Sequence, residues 1–193
     1  MGSTADQDIL LREATAKKGA GDINGAIDIL RKAYHEISNG ETIYPVSTFL
    51  RLPLYLQEAG RNDEAWREFN RLLTRGYPKQ GANPEIIPMD WSVIYDKMRL
   101  FLQREGKNDL AVRFGILSHL SWAIGLHRQG RKPELKQHIS KEAIEGATTK
   151  LLTKANKVDR LAEVVTVIQK QIDCMPEVDF SELAEAIDGI LGS

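Results

Sequence analysis

The side chains best suited to metal binding or proton transfer are four histidines and one cysteine. The histidines are His35, His119, His127 and His138. Zinc sites use an HExxH pattern or histidines at a paired spacing with cysteines, and none of the four histidines stands in either arrangement. His119 and His127 are two helical turns apart, but a solvated or core histidine explains this spacing better than a metal ligand. Cys174 is the single cysteine, so it forms no internal disulfide, and its position beside Met175 favours packing over redox chemistry.

The sequence also lacks the short motifs that identify common classes of enzyme. It contains no glycine-rich phosphate loop, no GxSxG elbow and no cysteine-nucleophile signature. The aromatic residues at helical spacing are predicted to be core rather than the rim of a ligand pocket. They are Tyr44, Trp91, Tyr95 and Trp122. The sequence therefore predicts no catalytic residues, no metal, no cofactor and no enzymatic activity.

Charge is balanced overall but uneven along the chain. Lysine and arginine number 26 against 27 aspartates and glutamates, so the whole chain offers no electrostatic footprint for nucleic acid or membrane. Residues 128–160 hold nine basic and four acidic residues, whereas 161–193 hold one basic and seven acidic. The favoured interpretation is that the two segments neutralise each other, within one chain or across a dimer. The alternative is a nucleic-acid patch that includes Lys132, Lys136 and Lys141.

Helices must position all these residues, and a repeated pattern marks their turns. Three times a glycine is followed five residues later by an alanine that opens an amphipathic run. The pairs are Gly21 and Ala26, Gly60 and Ala65, and Gly106 and Ala111. A repeated turn before a repeated small residue predicts stacked helical hairpins and an all-α fold.

The segments 21–27 and 60–66, which read GDINGAI and GRNDEAW, resemble the second half of a tetratricopeptide repeat (TPR). The resemblance covers about residues 4–118 and implies a TPR-like α-α superhelix of about three hairpins with a helical C-terminal extension. The repeats are irregular, because the alanines are 39 and 46 residues apart instead of about 34. In the third unit, Gly115 and Ser118 replace the larger or packing residues that the pattern expects.

The TPR resemblance implies that each unit's first helix lines a concave, apolar groove that binds a peptide or helix. Alignment on the alanines places five residues there: Leu11, Leu50, Leu54, Val93 and Leu100. The lysine and asparagine cluster with which some members clamp a chaperone's terminal carboxylate is largely missing. A groove filled by the protein's own C-terminal helices is the equal alternative, because large apolar patches rarely stay exposed.

A proline-rich connection separates the second and third hairpins. Pro78, Pro84 and Pro88 lie within residues 76–88, which predicts a loop that covers the groove or contacts a partner. Asp90 is predicted to cap the helix that follows.

From Lys141 the apolar residues recur every seven positions. One series contains Ile144, Leu151, Val158, Val165 and Ile172. This spacing predicts a long helix whose apolar seam joins two chains in a homodimer. The alternative is a break near Asn156–Asp159, with the two halves folding back on each other. The sequence leaves both open.

These patterns predict a repeat region at residues 1–130 and a helical extension at 131–193 that caps the repeats or makes a dimer. The predicted function is non-catalytic protein binding, as an adaptor or regulator, with nucleic-acid association as the alternative. The apolar runs are too short to span a bilayer, and the start lacks a secretory signal, which predicts a cytoplasmic protein.

Overall fold

The computed structural model describes residues 4–192, and every regular element in that range is helical. The predicted all-α class is confirmed. The chain forms two compact units, the first ending at Ala82 and the second beginning at Asn83.

The first unit opens with a helical hairpin. Helix α1 (Thr4–Gly19) packs against helix α2 (Ile23–Asn39). Gly21 makes the turn with φ +84°, in the left-handed region that glycine adopts without strain. Asp22 then caps α2, because its carboxylate accepts the amide of Gly25 at 2.9 Å.

Three further helices complete the first unit: α3 (Val46–Phe49), α4 (Arg51–Glu58) and α5 (Asn62–Arg75). α4 and α5 form the second hairpin, and α4 also packs on α2. Aromatic and aliphatic side chains fill the space between them. The largest fully buried ones are Ile27, Leu30, Ile37, Phe49, Leu50, Leu56, Phe69 and Leu72.

The proline-rich connection is partly helical rather than a plain loop. It contains 3-10 turns at Gln80–Ala82 and Pro84–Ile86, and helix α6 (Ile87–Arg104) begins directly afterwards. Asp90 is therefore not the N-cap of this helix, since it lies inside the first turn and is buried. Pro88 permits the early start, because the first turn of a helix needs no intrahelical amide donor.

The second unit is built on one long hairpin. α6 packs along helix α7 (Asn108–Arg128), and the short helix α8 (Lys132–His138) follows. The predicted hairpin turns are confirmed: the three pattern glycines have positive φ, and the alanine five residues after each one is buried.

Three helices complete the unit: α9 (Lys141–Ala155), α10 (Leu161–Asp173) and α11 (Phe180–Leu191). α9 and α11 both pack on α7, and α10 packs on α9 and α11. Helices from both sides of residue 130 therefore share one core. The compact units divide at 82/83 and not at the predicted 130/131 boundary.

The seven-residue series does not form one continuous helix. Asn156 adopts φ +57° and ends α9, and a 3-10 turn at Val158–Arg160 precedes α10. This is the alternative that the sequence left open. It corrects the seam prediction, because Ile144 and Leu151 lie on α9, Val158 lies in the 3-10 turn, and Val165 and Ile172 lie on α10. Ile144 and Ile172 are buried within the unit, whereas Val158 is 45% exposed.

Candidate functional site

The second unit contains a cavity of about 870 Å³ that five helices line. α6, α7 and α9 form its main walls, and one residue each comes from α8 and α10. The lining includes Ser92, Asp96, Arg99, Gln103, Gly115, Ile116, Ser118, His119, Trp122, His138, Ile144, Ala147, Lys150, Leu151, Lys154 and Ile168.

The interior of the cavity is apolar. Ile116, Ile144 and Ile168 are nearly fully buried and come from three different helices. Leu151 of α9 lies over Gly115 of α7, where the missing side chain lets the two helices approach closely. A ligand in this cavity would therefore meet aliphatic carbon at its base.

α6 contributes a polar wall. Asp96, Arg99 and Gln103 lie at helical spacing on one face, so their side chains form a row. Arg99 donates to Asp96 Oδ1 at 3.0 and 2.6 Å from Nε and Nη2, and to Gln103 Oε1 at 3.0 Å from Nη1. The guanidinium is thus held in place, and it neutralises the carboxylate beside it.

Two serines join the polar wall to α7. Ser118 Oγ donates to the backbone carbonyl of Ser92 at 2.9 Å, and the two hydroxyl oxygens lie 3.2 Å apart. Small residues at these positions bring α6 and α7 close together, so the cavity has a fixed wall on this side.

A histidine pair closes one end. The rings of His119 on α7 and His138 on α8 stack with centroids 3.8 Å apart. Each Nε2 lies within hydrogen-bond distance of the other residue's carbonyl oxygen, at 3.1 and 3.0 Å. Because a carbonyl only accepts, both rings carry their proton on Nε2. Burial, aided by the charge of His138, lowers the pKa of His119 to about 4, and burial also lowers the pKa of His138.

The open side of the cavity carries Trp122 and two lysines. The Trp122 side chain is 36% exposed, which corrects the prediction that it is core. Lys150 and Lys154 lie on α9 with exposed side chains, and Lys154 Nζ donates to Gln103 Oε1 at 3.3 Å. The site therefore combines an apolar base, an exposed aromatic ring and positive charge.

The arrangement can bind an apolar group beside fixed polar ones. His119 and His138 each use Nε2 to donate to the other's backbone carbonyl, which leaves Nδ1 of each ring as an acceptor. Between residues 4 and 192, no group of three or more histidine, cysteine, aspartate or glutamate side chains is placed to hold a metal ion.

The predicted groove residues lie elsewhere. Leu11 is 9% exposed and Leu50 2%, so both are core residues of the first unit, which corrects the prediction that they line an open groove. Arg51 also covers this region, because it donates to the Leu11 carbonyl at 2.8 Å. The other three predicted residues, Leu54, Val93 and Leu100, are half-buried, and none of them lines the cavity.

The basic candidates lie outside the cavity. Lys132, Lys136 and Lys141 are exposed on α8 and at the start of α9, and Lys141 Nζ lies 3.9 Å from Glu145. The acidic α11 does form ion pairs, but with α7 and α10: Asp188 pairs with Arg113, and Glu182 with Lys170. The nucleic-acid alternative stays a prediction.

Two residues mark this site in the sequence. Gly115 and Ser118 were departures from the repeat pattern, and both line the cavity. The polar row on α6 resembled an ordinary solvent-facing stripe, because only the fold of α9 shows that another helix stands opposite it.

Every helix within the part of the chain that the structure describes is too short or too polar to cross a bilayer. The sequence matches no protein-family model, and comparisons with curated proteins and with solved structures returned no match.

Proposed function

We propose that this chain is a non-catalytic binding module that takes an apolar segment of a partner protein into the cavity of its second unit. The observation that carries the proposal is the cavity itself. A space of about 870 Å³ with a buried aliphatic base and an exposed tryptophan is a costly feature to leave in contact with water.

The make-up of the site supports a partner side chain rather than a reaction. Binding sites combine an apolar interior with a few fixed polar groups, and partly exposed tryptophans are frequent anchors of protein interfaces. Trp122 supplies the aromatic surface, and the row of Asp96, Arg99 and Gln103 supplies fixed polar groups on α6.

The resemblance to tetratricopeptide repeats is part of this proposal. The turns at Gly21, Gly60 and Gly106 support a TPR-like arrangement, in which helical hairpins present a binding surface. The site proposed here nevertheless differs from the groove that the resemblance implies, because α9 forms one of its walls. A cytoplasmic location and self-association, which the sequence predicts, are also part of this proposal.

The experiment is to select binding peptides from a displayed random library on the full chain and to measure their affinities for two variants. Ala147→Phe places an aromatic ring in the cavity, because Ala147 lines it from α9. Ala162→Phe is the matched control, since Ala162 is exposed on α10 and does not line the cavity.

We expect the selected peptides to bind Ala147→Phe at least about tenfold more weakly than wild type, because the new ring occupies the space that the anchor needs. Ala162→Phe should bind like wild type. Circular dichroism checks that both variants stay helical. Peptides that bind Ala147→Phe as tightly as wild type, or a library that yields no peptide, would contradict the proposal.

A further inference from the structure

We infer that the cavity selects an acidic amphipathic helix, whose apolar side chains enter the cavity and whose carboxylates pair with Lys150 and Lys154. The inference rests on the proposed function and names the class of partner for that same site.

The two lysines form a pair on one face of α9. They are four residues apart, so their attachment points lie about 6 Å apart along the helix axis, one above the other. Both side chains are exposed and both line the cavity. Within residues 4–192 neither ammonium group forms an ion pair, and Lys154 makes only the 3.3 Å contact with the neutral amide of Gln103.

The acidic group that lines the cavity does not offset these charges. Asp96 stands on the opposite wall, but Arg99 donates to its Oδ1 at 2.6 and 3.0 Å, and Lys97 lies 3.6 Å from its Oδ2. Asp96 and Arg99 cancel each other. His119 and His138 are neutral near pH 7, so Lys150 and Lys154 leave the cavity with net positive charge.

The geometry of α9 favours a helix as the partner. Ala147 and Leu151 form an apolar row, and Lys150 and Lys154 form a charged row beside it. Each lysine follows an apolar residue of the first row by three positions, so the two rows lie about 60° apart around the helix. A partner helix lying along α9 matches both rows when it carries apolar residues one turn apart and acidic residues one turn apart beside them.

The two lysine charges are expected to influence which peptides the cavity prefers more than how tightly it binds them. Each exposed ion pair is worth about threefold in Kd at low salt, so both lysines together contribute about tenfold, and added salt reduces this. Replacing lysine by glutamate changes attraction into repulsion and should exceed that factor.

The test uses the library selection on the full chain at low salt, with two doubly reversed variants. One is Lys150→Glu with Lys154→Glu, at the cavity. The matched control is Lys132→Glu with Lys136→Glu, which reverses two exposed lysines outside the cavity and gives the same net charge.

We expect wild type and control to select peptides with apolar residues and aspartate or glutamate at one-turn spacing. A synthetic peptide from this pool should bind the cavity variant more than tenfold more weakly, and its glutamine-substituted version should bind all three proteins alike.

Two results overturn the inference in different ways. If cavity-dependent peptides show no acidic preference, or bind the reversed cavity equally well, the selectivity is wrong and the proposed function stands. If every selected peptide binds Ala147→Phe like wild type, the cavity is not the site and both fall.

Discussion

The two δ-methyl groups of Leu151 occupy the space that a side chain on Gly115 would need. A β-carbon built at Gly115 would lie 2.6 Å from both methyl carbons, well inside van der Waals contact. Gly115 therefore sets the distance between α7 and α9, and with it the shape of the cavity that both residues line.

Gly115→Ala is expected to destabilise the protein by about 1 kcal/mol. Overpacking costs about 1–3 kcal/mol, and the better helix propensity of alanine returns up to about 1 kcal/mol. The free energy of unfolding in denaturant measures the net effect.

Gly146→Ala is the matched control on α9. A β-carbon there meets nothing within 4 Å, so only the propensity gain remains, and we expect stabilisation of about 0.5–1 kcal/mol. Should Gly115→Ala prove as stable as Gly146→Ala, the close approach of α7 and α9 would be refuted.

The stacked pair of His119 and His138 predicts lower stability in mild acid. The pKa of His119 falls from 6.5 to about 4 on folding, so the unfolded chain binds more protons between these values. The free energy of unfolding is then highest above about pH 6.5 and decreases as the pH falls towards 4. At pH 5 the loss from His119 alone amounts to about 2 kcal/mol, and the lowered pKa of His138 adds to it.

His119→Gln tests this prediction, because the amide keeps a donor for the His138 carbonyl and does not titrate. Thermal unfolding between pH 7.5 and pH 5 should show a smaller decrease for this variant than for wild type. His35→Gln, on α2 in the first unit, should keep the wild-type decrease. An unchanged pH dependence in His119→Gln would show that another group is responsible.

The turn glycine Gly60 is expected to be intolerant of a side chain for backbone reasons alone. Its φ is +73°, and a β-carbon there meets nothing within 4 Å. Gly60→Ala should therefore cost about 1–2 kcal/mol, through the left-handed conformation and not through a clash.

Gly81 provides the comparison, since it also has open space around it but no left-handed φ. We expect Gly81→Ala to change the free energy of unfolding by less than about 0.5 kcal/mol. Equal effects of the two substitutions would show that the turn at Gly60 is not strained by alanine.

Local signals in the sequence predicted local structure well. The turns at Gly21, Gly60 and Gly106 are all present with positive φ, and the alanine five residues after each one is buried. Such signals depend on residues within one turn of each other, so tertiary contacts are not needed to interpret them.

Long-range features could not be predicted in the same way. The seven-residue spacing persists across Asn156, although the left-handed backbone there ends the helix. On α6, the alignment selected Leu100 for the binding surface, whereas Arg99, rotated by about 100°, faces the cavity. An alignment error of one residue selects a different face of α6, and only the packing of α9 shows which face of α6 lines the cavity.

A partner segment that occupies the cavity of the second unit must contact the residues that line it. The most direct test is an NMR titration of the isotope-labelled full chain with a selected peptide. We expect amide shift changes concentrated at Gly115–Trp122 on α7 and Ala147–Lys154 on α9, together with the Trp122 indole. Shift changes confined to the first unit, with these segments unmoved, would contradict the proposed function.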